Sequence, residues 1–98
     1  MQKLQIASVL ADQAKKMGKV LEEEQFTLLN VQLRAGEEIP PHSANNTAVV
    51  IVRKGEVVFD VEGKEVTLKE EDVLIFEPNE MHGLVATTDV DLVIVKMN

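Results

Sequence analysis

The chain has 98 residues, no cysteine, tryptophan or tyrosine, three phenylalanines, and a formal net charge of −7 from 17 acidic and 10 basic side chains. This length fits one domain with a modest core, and the missing cysteines exclude disulfides, thiolate metal sites and thiol nucleophiles. The acidic surface repels phosphate backbones and anionic lipid, and the scarcity of aromatics removes stacking platforms, so neither nucleic acid nor membrane is an expected partner.

The opening residues Met1 to Gln5 lack the apolar core of a signal peptide, and no stretch approaches the ~18 apolar residues of a bilayer span. A cytoplasmic location is the resulting expectation. From Ser8 to Met17, Val9, Leu10, Gln13, Ala14 and Met17 recur at helix-like intervals, with Gly18 as a C-cap. The spacing predicts a short helix within an N-terminal segment, residues 1–24, that packs on the main body, residues 25–98.

From Phe26 the period becomes two: Leu29, Val31 and Leu33 alternate with Asn30, Gln32 and Arg34, as in a half-buried strand. Ala35-Gly36-Glu37-Glu38 turns the chain, and Pro40-Pro41-His42-Ser43 reads as extended and irregular. A β-branched run from Thr47 to Arg53, alternation through Val57, Phe59 and Val61, and Glu65 to Leu68 follow. Glu62-Gly63-Lys64 between the last two is a tight hairpin signal. Val73 to Phe76, Met81 to Thr87 and Val90 to Met97 complete a set of short, evenly spaced strands, the signature of a sandwich or barrel. Val49 to Val52 and Leu92 to Val95 are apolar on both faces. The outer face therefore needs cover, from the N-terminal helix and from a second copy of the chain, so a homodimer is expected.

The only two histidines stand in recognisable frames. Gly36, five residues, His42, and thirteen residues further Gly55 resemble the first motif of the cupin superfamily. Glu71 through Pro78 and Asn79 to His82 resemble the second, with glutamates at the usual glycine and proline positions and Asn79 at the second glycine. The resemblance covers Val31 to Val95. It implies an all-β fold, a cupin jelly-roll barrel (a double-stranded β-helix). It also implies a metal site of two histidines from the first motif, a Glu or Gln, and the histidine of the second. Carried over, the first and last fall on His42 and His82, whereas the second histidine falls on Ala44 and the Glu on Ala48. Two imidazoles alone make a weak, exchangeable site, so no resident metal is expected, or at most a loosely held divalent ion. Asn46 or Glu80 would be the source of a further oxygen if their loops fold inward.

Individually each histidine has an ordinary explanation, a turn residue at His42 and a core histidine at His82. Together, at the two positions that meet inside the fold, they mark a pocket. The residues expected to line it are His42, His82, Ala44, Ala48, Val50, Phe59, Met81 and Leu84, an apolar wall with few polar groups. Three functions are compatible with this reading. The first is a module that binds a small organic ligand, and the second a metal-dependent enzyme of dioxygenase or isomerase type acting on a small oxygenated substrate. The third is a scaffold that uses only its apolar strand faces. The ligand-binding module explains the paired histidines without the two absent metal ligands.

Overall fold

A computed structural model describes residues 1–98. Nine strands follow one another: β1 Lys15–Glu22, β2 Phe26–Leu33, β3 Glu38–His42, β4 Ala48–Lys54, β5 Val57–Val61, β6 Lys64–Leu68, β7 Val73–Phe76, β8 His82–Ala86 and β9 Val90–Met97. They form a five-stranded sheet in the order β1-β2-β9-β4-β7 and a four-stranded sheet in the order β3-β8-β5-β6. Every pairing is antiparallel. From β2 onward the chain crosses between the sheets at nearly every step, which is the jelly-roll path of a double-stranded β-helix.

Inward positions follow the period of two. Val31 and Leu33 on β2, Val50 and Val52 on β4, Val57 and Phe59 on β5, Leu84 and Ala86 on β8, and Val90 and Leu92 on β9 are all buried and form one core. Thirteen buried apolar residues make up this core, of which Val31, Ile39, Phe59, Phe76 and Leu84 reach the cavity beside the β3 and β8 histidines. The hairpin anticipated at Glu62-Gly63 has two residues with positive φ, 51° and 83°, between the paired Val61 and Lys64. That is the backbone of a type I′ turn, matched to strand twist. Asp60 Oδ1 accepts from Gly63 N at 3.0 Å and fixes it.

The helix expected over Ser8 to Met17 does not form. Val9 O accepts from Asp12 N and Gln13 N, closing one turn, and the chain then enters β1. Gly18, read as a helix cap, lies within β1 opposite Asn30. The reason is energetic: two turns of isolated helix are marginal in water, whereas Lys15 to Glu22 gains a ladder along β2.

The N-terminal residues nevertheless cover part of the outer face, in extended form. Gln32 on β2 points outward yet is buried: its Nε2 donates to Ala7 O and to Asn30 Oδ1, both at 2.9 Å, and its Oε1 accepts from Val9 N at 2.9 Å. Asn30 Nδ2 in turn donates to Asp91 Oδ1 at 2.8 Å and Leu92 O at 2.9 Å. Arg53 Nη2 reaches Ile6 O at 3.0 Å. A polar strap, fully hydrogen-bonded, thus replaces the apolar helix cover. No helix of the protein is long and apolar enough to cross a membrane.

Candidate functional site: an apolar pocket with paired histidines

At the open end, β3 and β8 bring the histidines together. His42 pairs with His82 across the ladder, after a register irregularity between Ile39 and His42 that takes up Pro40 and Pro41. Neither proline can donate to the ladder, so a bulge at this point is the natural outcome. Gly83 makes room for it: a Cβ there would meet Pro41 N at 2.9 Å and Ile39 O at 3.0 Å. The bulge and the glycine together set His42 opposite His82, with ring centroids 4.4 Å apart in an edge arrangement at 65°.

Each imidazole is oriented by its own backbone. His42 Nδ1 lies 3.1 Å from Pro40 O, and His82 Nδ1 lies 3.0 Å from Glu80 O. A carbonyl can only accept, so in each ring Nδ1 carries a proton toward it and Nε2 is the nitrogen left for a ligand. Phe76 stacks on His82 with centroids 3.9 Å apart and planes at 8°, and Phe59 packs on Phe76 at 5.5 Å. Burial under this aromatic wall pushes the pKa of His82 below its ordinary 6.5. The neighbouring His42 adds to the depression, while the Glu80 carbonyl and carboxylate oppose it. Burial therefore favours the neutral form of His82.

Behind the rings is a cavity of about 110 Å³, and 10 of its 14 lining residues are hydrophobic. Of the residues expected to line it, His42, His82, Ala44, Ala48, Phe59 and Leu84 do so. Val50 is fully buried in the core and Met81 is largely exposed, so neither belongs to the lining. Met17, Leu29, Val31, Ile39, Asn46, Phe76, Ile94 and Lys96 join it. Half of these follow from the alternation, since Leu29 and Val31 are inward on β2 and Ile94 and Lys96 on β9. Met17 falls in the predicted helix, whereas the structure places it on β1 facing the cavity.

The rim is pinned at two points. Asn46 Nδ2 donates to Met97 O at 2.8 Å, and Ala44 O accepts from Asn79 N at 2.7 Å. Asn79, at φ 70°, occupies the position where the second cupin motif has glycine, and asparagine is among the side chains that best tolerate this left-handed backbone. Glu71, at φ 83°, stands at the other such position without that advantage.

The donor set for a metal is incomplete. Ala44 and Ala48 face the pocket where the family places ligands. Glu80 turns away, its Oε1 accepting from Glu77 N at 2.7 Å. No group of three or more His, Cys, Asp or Glu side chains is placed to hold an ion. Asn46 lines the pocket, but its neutral amide is a weak ligand, and two imidazoles without a carboxylate or a third imidazole do not fit the metal of the wider superfamily.

Two facing antiparallel sheets, closed at one end by a core and open at the other onto a histidine-marked cavity, define a small jelly-roll barrel with an internal pocket. The family model described as "Cupin domain", Cupin_2, matches residues 29–97, and the chain belongs to this family. Among solved structures it is similar to an RmlC-like cupin protein from Desulfovibrio desulfuricans, at 28% identity and a TM-score of 0.85 over 99% of this chain and 94% of that one. An RmlC-like cupin family protein with a double-stranded β-helix fold from Methanocaldococcus jannaschii has 21% identity and a TM-score of 0.83, covering 99% and 91% of the two chains. Salicylate 1,2-dioxygenase from Pseudoaminobacter salicylatoxidans, solved as a mutant in complex with gentisate, is 18% identical with a TM-score of 0.80. That match covers 85% of this chain but 25% of the dioxygenase, and it shows the fold alone. No curated protein matches the chain.

Proposed function

We propose that this cupin binds one small organic molecule inside its barrel, with Nε2 of His42 and of His82 meeting the polar end of the ligand. The observation that carries the reading is the pairing of an apolar cavity with two imidazoles whose other nitrogens are already committed to the backbone. Small-molecule sites have this composition: apolar walls and a few placed polar groups. A volume of about 110 Å³ suits a single ring or a short branched chain. Ala44 and Ala48 line space that metal ligands fill elsewhere in the superfamily. The metal-dependent enzyme reading asks for donors that this pocket lacks. A cytoplasmic location belongs to the same proposal, and a fold without cysteine is compatible with that reducing compartment.

A second copy of the chain is part of the proposal. On the outer face of the five-stranded sheet Val49 pairs with Ile75 and Ile51 with Val73, giving a contiguous apolar strip. Val73 and Ile75 are 57% and 56% exposed, and the N-terminal strap covers β2 rather than this edge. Water contact with such a strip is unfavourable, and a two-fold copy would remove it.

The test is thermal-shift screening of single-ring aromatic and alicyclic compounds against the wild type and a His42→Ala/His82→Ala double variant. A ligand at ten times its Kd stabilises by about 1.4 kcal/mol, which moves the Tm of a domain this size by roughly 5–10 °C. Hits on the wild type that weaken in the double variant and survive chelator treatment are expected. The reading is wrong if no compound stabilises at millimolar concentration, or if hits are indifferent to both histidines. Loss of the shift on chelation would favour the metalloenzyme instead.

A further inference from the structure

One side chain of the pocket has no counterpart in the histidine argument. Along β9 the inward positions run Val90, Leu92, Ile94 and Lys96, so the last residue facing the barrel before its mouth is a cation rather than a fourth aliphatic. Lys96 sits opposite Ala48 on β4 and Thr27 on β2, and it is half-buried.

Its ammonium has no ion-pair partner within the protein; the three ion pairs of the fold are Lys19–Glu22, Arg53–Asp91 and Lys69–Glu56. Glu22 lies within the field of Lys96 but is held by Lys19 at 2.6 Å. Carboxylates are abundant, with 17 acidic residues in the chain, and yet none lines this cavity. Lys96 is half-buried as a residue and lines an apolar wall, a setting in which proteins ordinarily place a counter-charge beside a cation. Here the counter-charge is missing from the one apolar cavity beside it.

We infer that Lys96 is the anion anchor of the pocket and that the ligand class is a small organic monocarboxylate, its apolar body inside the barrel, its carboxylate on Lys96 at the mouth and a second polar group meeting the histidines. The inference rests on the ligand-binding reading above and adds the charge of the ligand to it. One ammonium matches one negative charge. A phosphate dianion would ask for a second cation, and Lys96 is the only lysine or arginine that lines the cavity. Position also favours Lys96, since the rim loop carrying Ala44 and Asn46 is tied to β9 at the residue next to it.

Benzoate and benzamide form the test, as they share shape and differ in charge. Titration calorimetry on the full chain at low salt is expected to give benzoate at least a tenfold preference over benzamide, the scale of a charge-assisted hydrogen bond. Lys96→Met should bring benzoate down to about the benzamide level and leave benzamide itself unchanged. Lys96→Arg should keep the preference, which guards against a merely structural effect of the methionine. Equal binding of the two probes by the wild type overturns the anchor while leaving the ligand pocket standing. So does a preference that persists in Lys96→Met. Inorganic phosphate binding as tightly as benzoate overturns the monocarboxylate class. Binding of neither aromatic probe overturns this inference together with the reading it rests on.

Discussion

His82 concentrates the chemistry of the molecule at one residue. Stacked on Phe76 and edge-on to His42, it is buried enough for its protonated form to be disfavoured, and its pKa lies below 6.5. Well above 6.5 the ring is neutral in both folded and unfolded chains, and its packing contribution is complete. As pH falls, the unfolded chain takes up a proton first, so this contribution is lost until the folded ring protonates too. The stability advantage of wild type over His82→Gln is therefore expected to shrink between pH 7.5 and pH 5.5, read from Tm at matched ionic strength. An advantage that stays constant over that window would mean the ring titrates alike in both states. His42 and His82 were legible as a pair because the cupin frames fix their spacing to Gly36, Gly55 and Glu71. Lys96 was not singled out, although its place in the β9 alternation was visible, because a lysine at the end of a strand reads as solvated until the facing strands are known.

At the scale of elements, the site depends on a bulge and a missing side chain. Pro40 and Pro41 interrupt the β3–β8 ladder, and Gly83 lets that bulge approach, which sets the register that puts His42 opposite His82. Gly83→Ala would drive a methyl group into Pro41 N and Ile39 O, both backbone atoms unable to swing aside. A destabilisation of about 1–3 kcal/mol is expected, together with loss of ligand binding. Gly18→Ala is the control: a Cβ on β1 meets nothing within 4 Å, so it should be neutral or stabilise by about 0.5 kcal/mol. Chemical denaturation of both variants checks the pair, and equal effects would show that close approach at Gly83 is not what matters. The irregular stretch at Pro40-Pro41 could be read from the prolines themselves. That Gly83 answers it could not, since the two are 42 residues apart in sequence and meet only through the fold.

For the whole molecule, the two faces of the five-stranded sheet have different fates. The inner face is sealed in the barrel. The outer face is strapped by residues 6–10 over β2, and left apolar over β4 and β7. Wild type is accordingly expected to run as a dimer in light scattering after gel filtration. Ile75→Lys, on an edge strand and 56% exposed, should give a monomer with little change in Tm. A wild type with the mass of one chain would refute the second copy.

What the sequence alone determined is the part written in short-range periodicity. The period of two from Phe26 onward yields the strands, the inward set and hence the core. Glu62-Gly63 yields its hairpin, and the motif spacing yields the family and the two histidines. The tertiary structure decided the rest, for one physical reason: those outcomes depend on partners distant in the chain. Val9 to Met17 has a weak helical pattern, but the open edge of β2 offers a ladder and takes residues from Lys15 onward into the sheet. Val50 alternates inward like Ala48, yet lies deeper, where the barrel is closed, and so packs as core rather than lining the cavity. Lys96 becomes the cation of an apolar cavity only because β2, β4 and the Ala44–Asn46 loop converge around it, with no carboxylate among them to neutralise it.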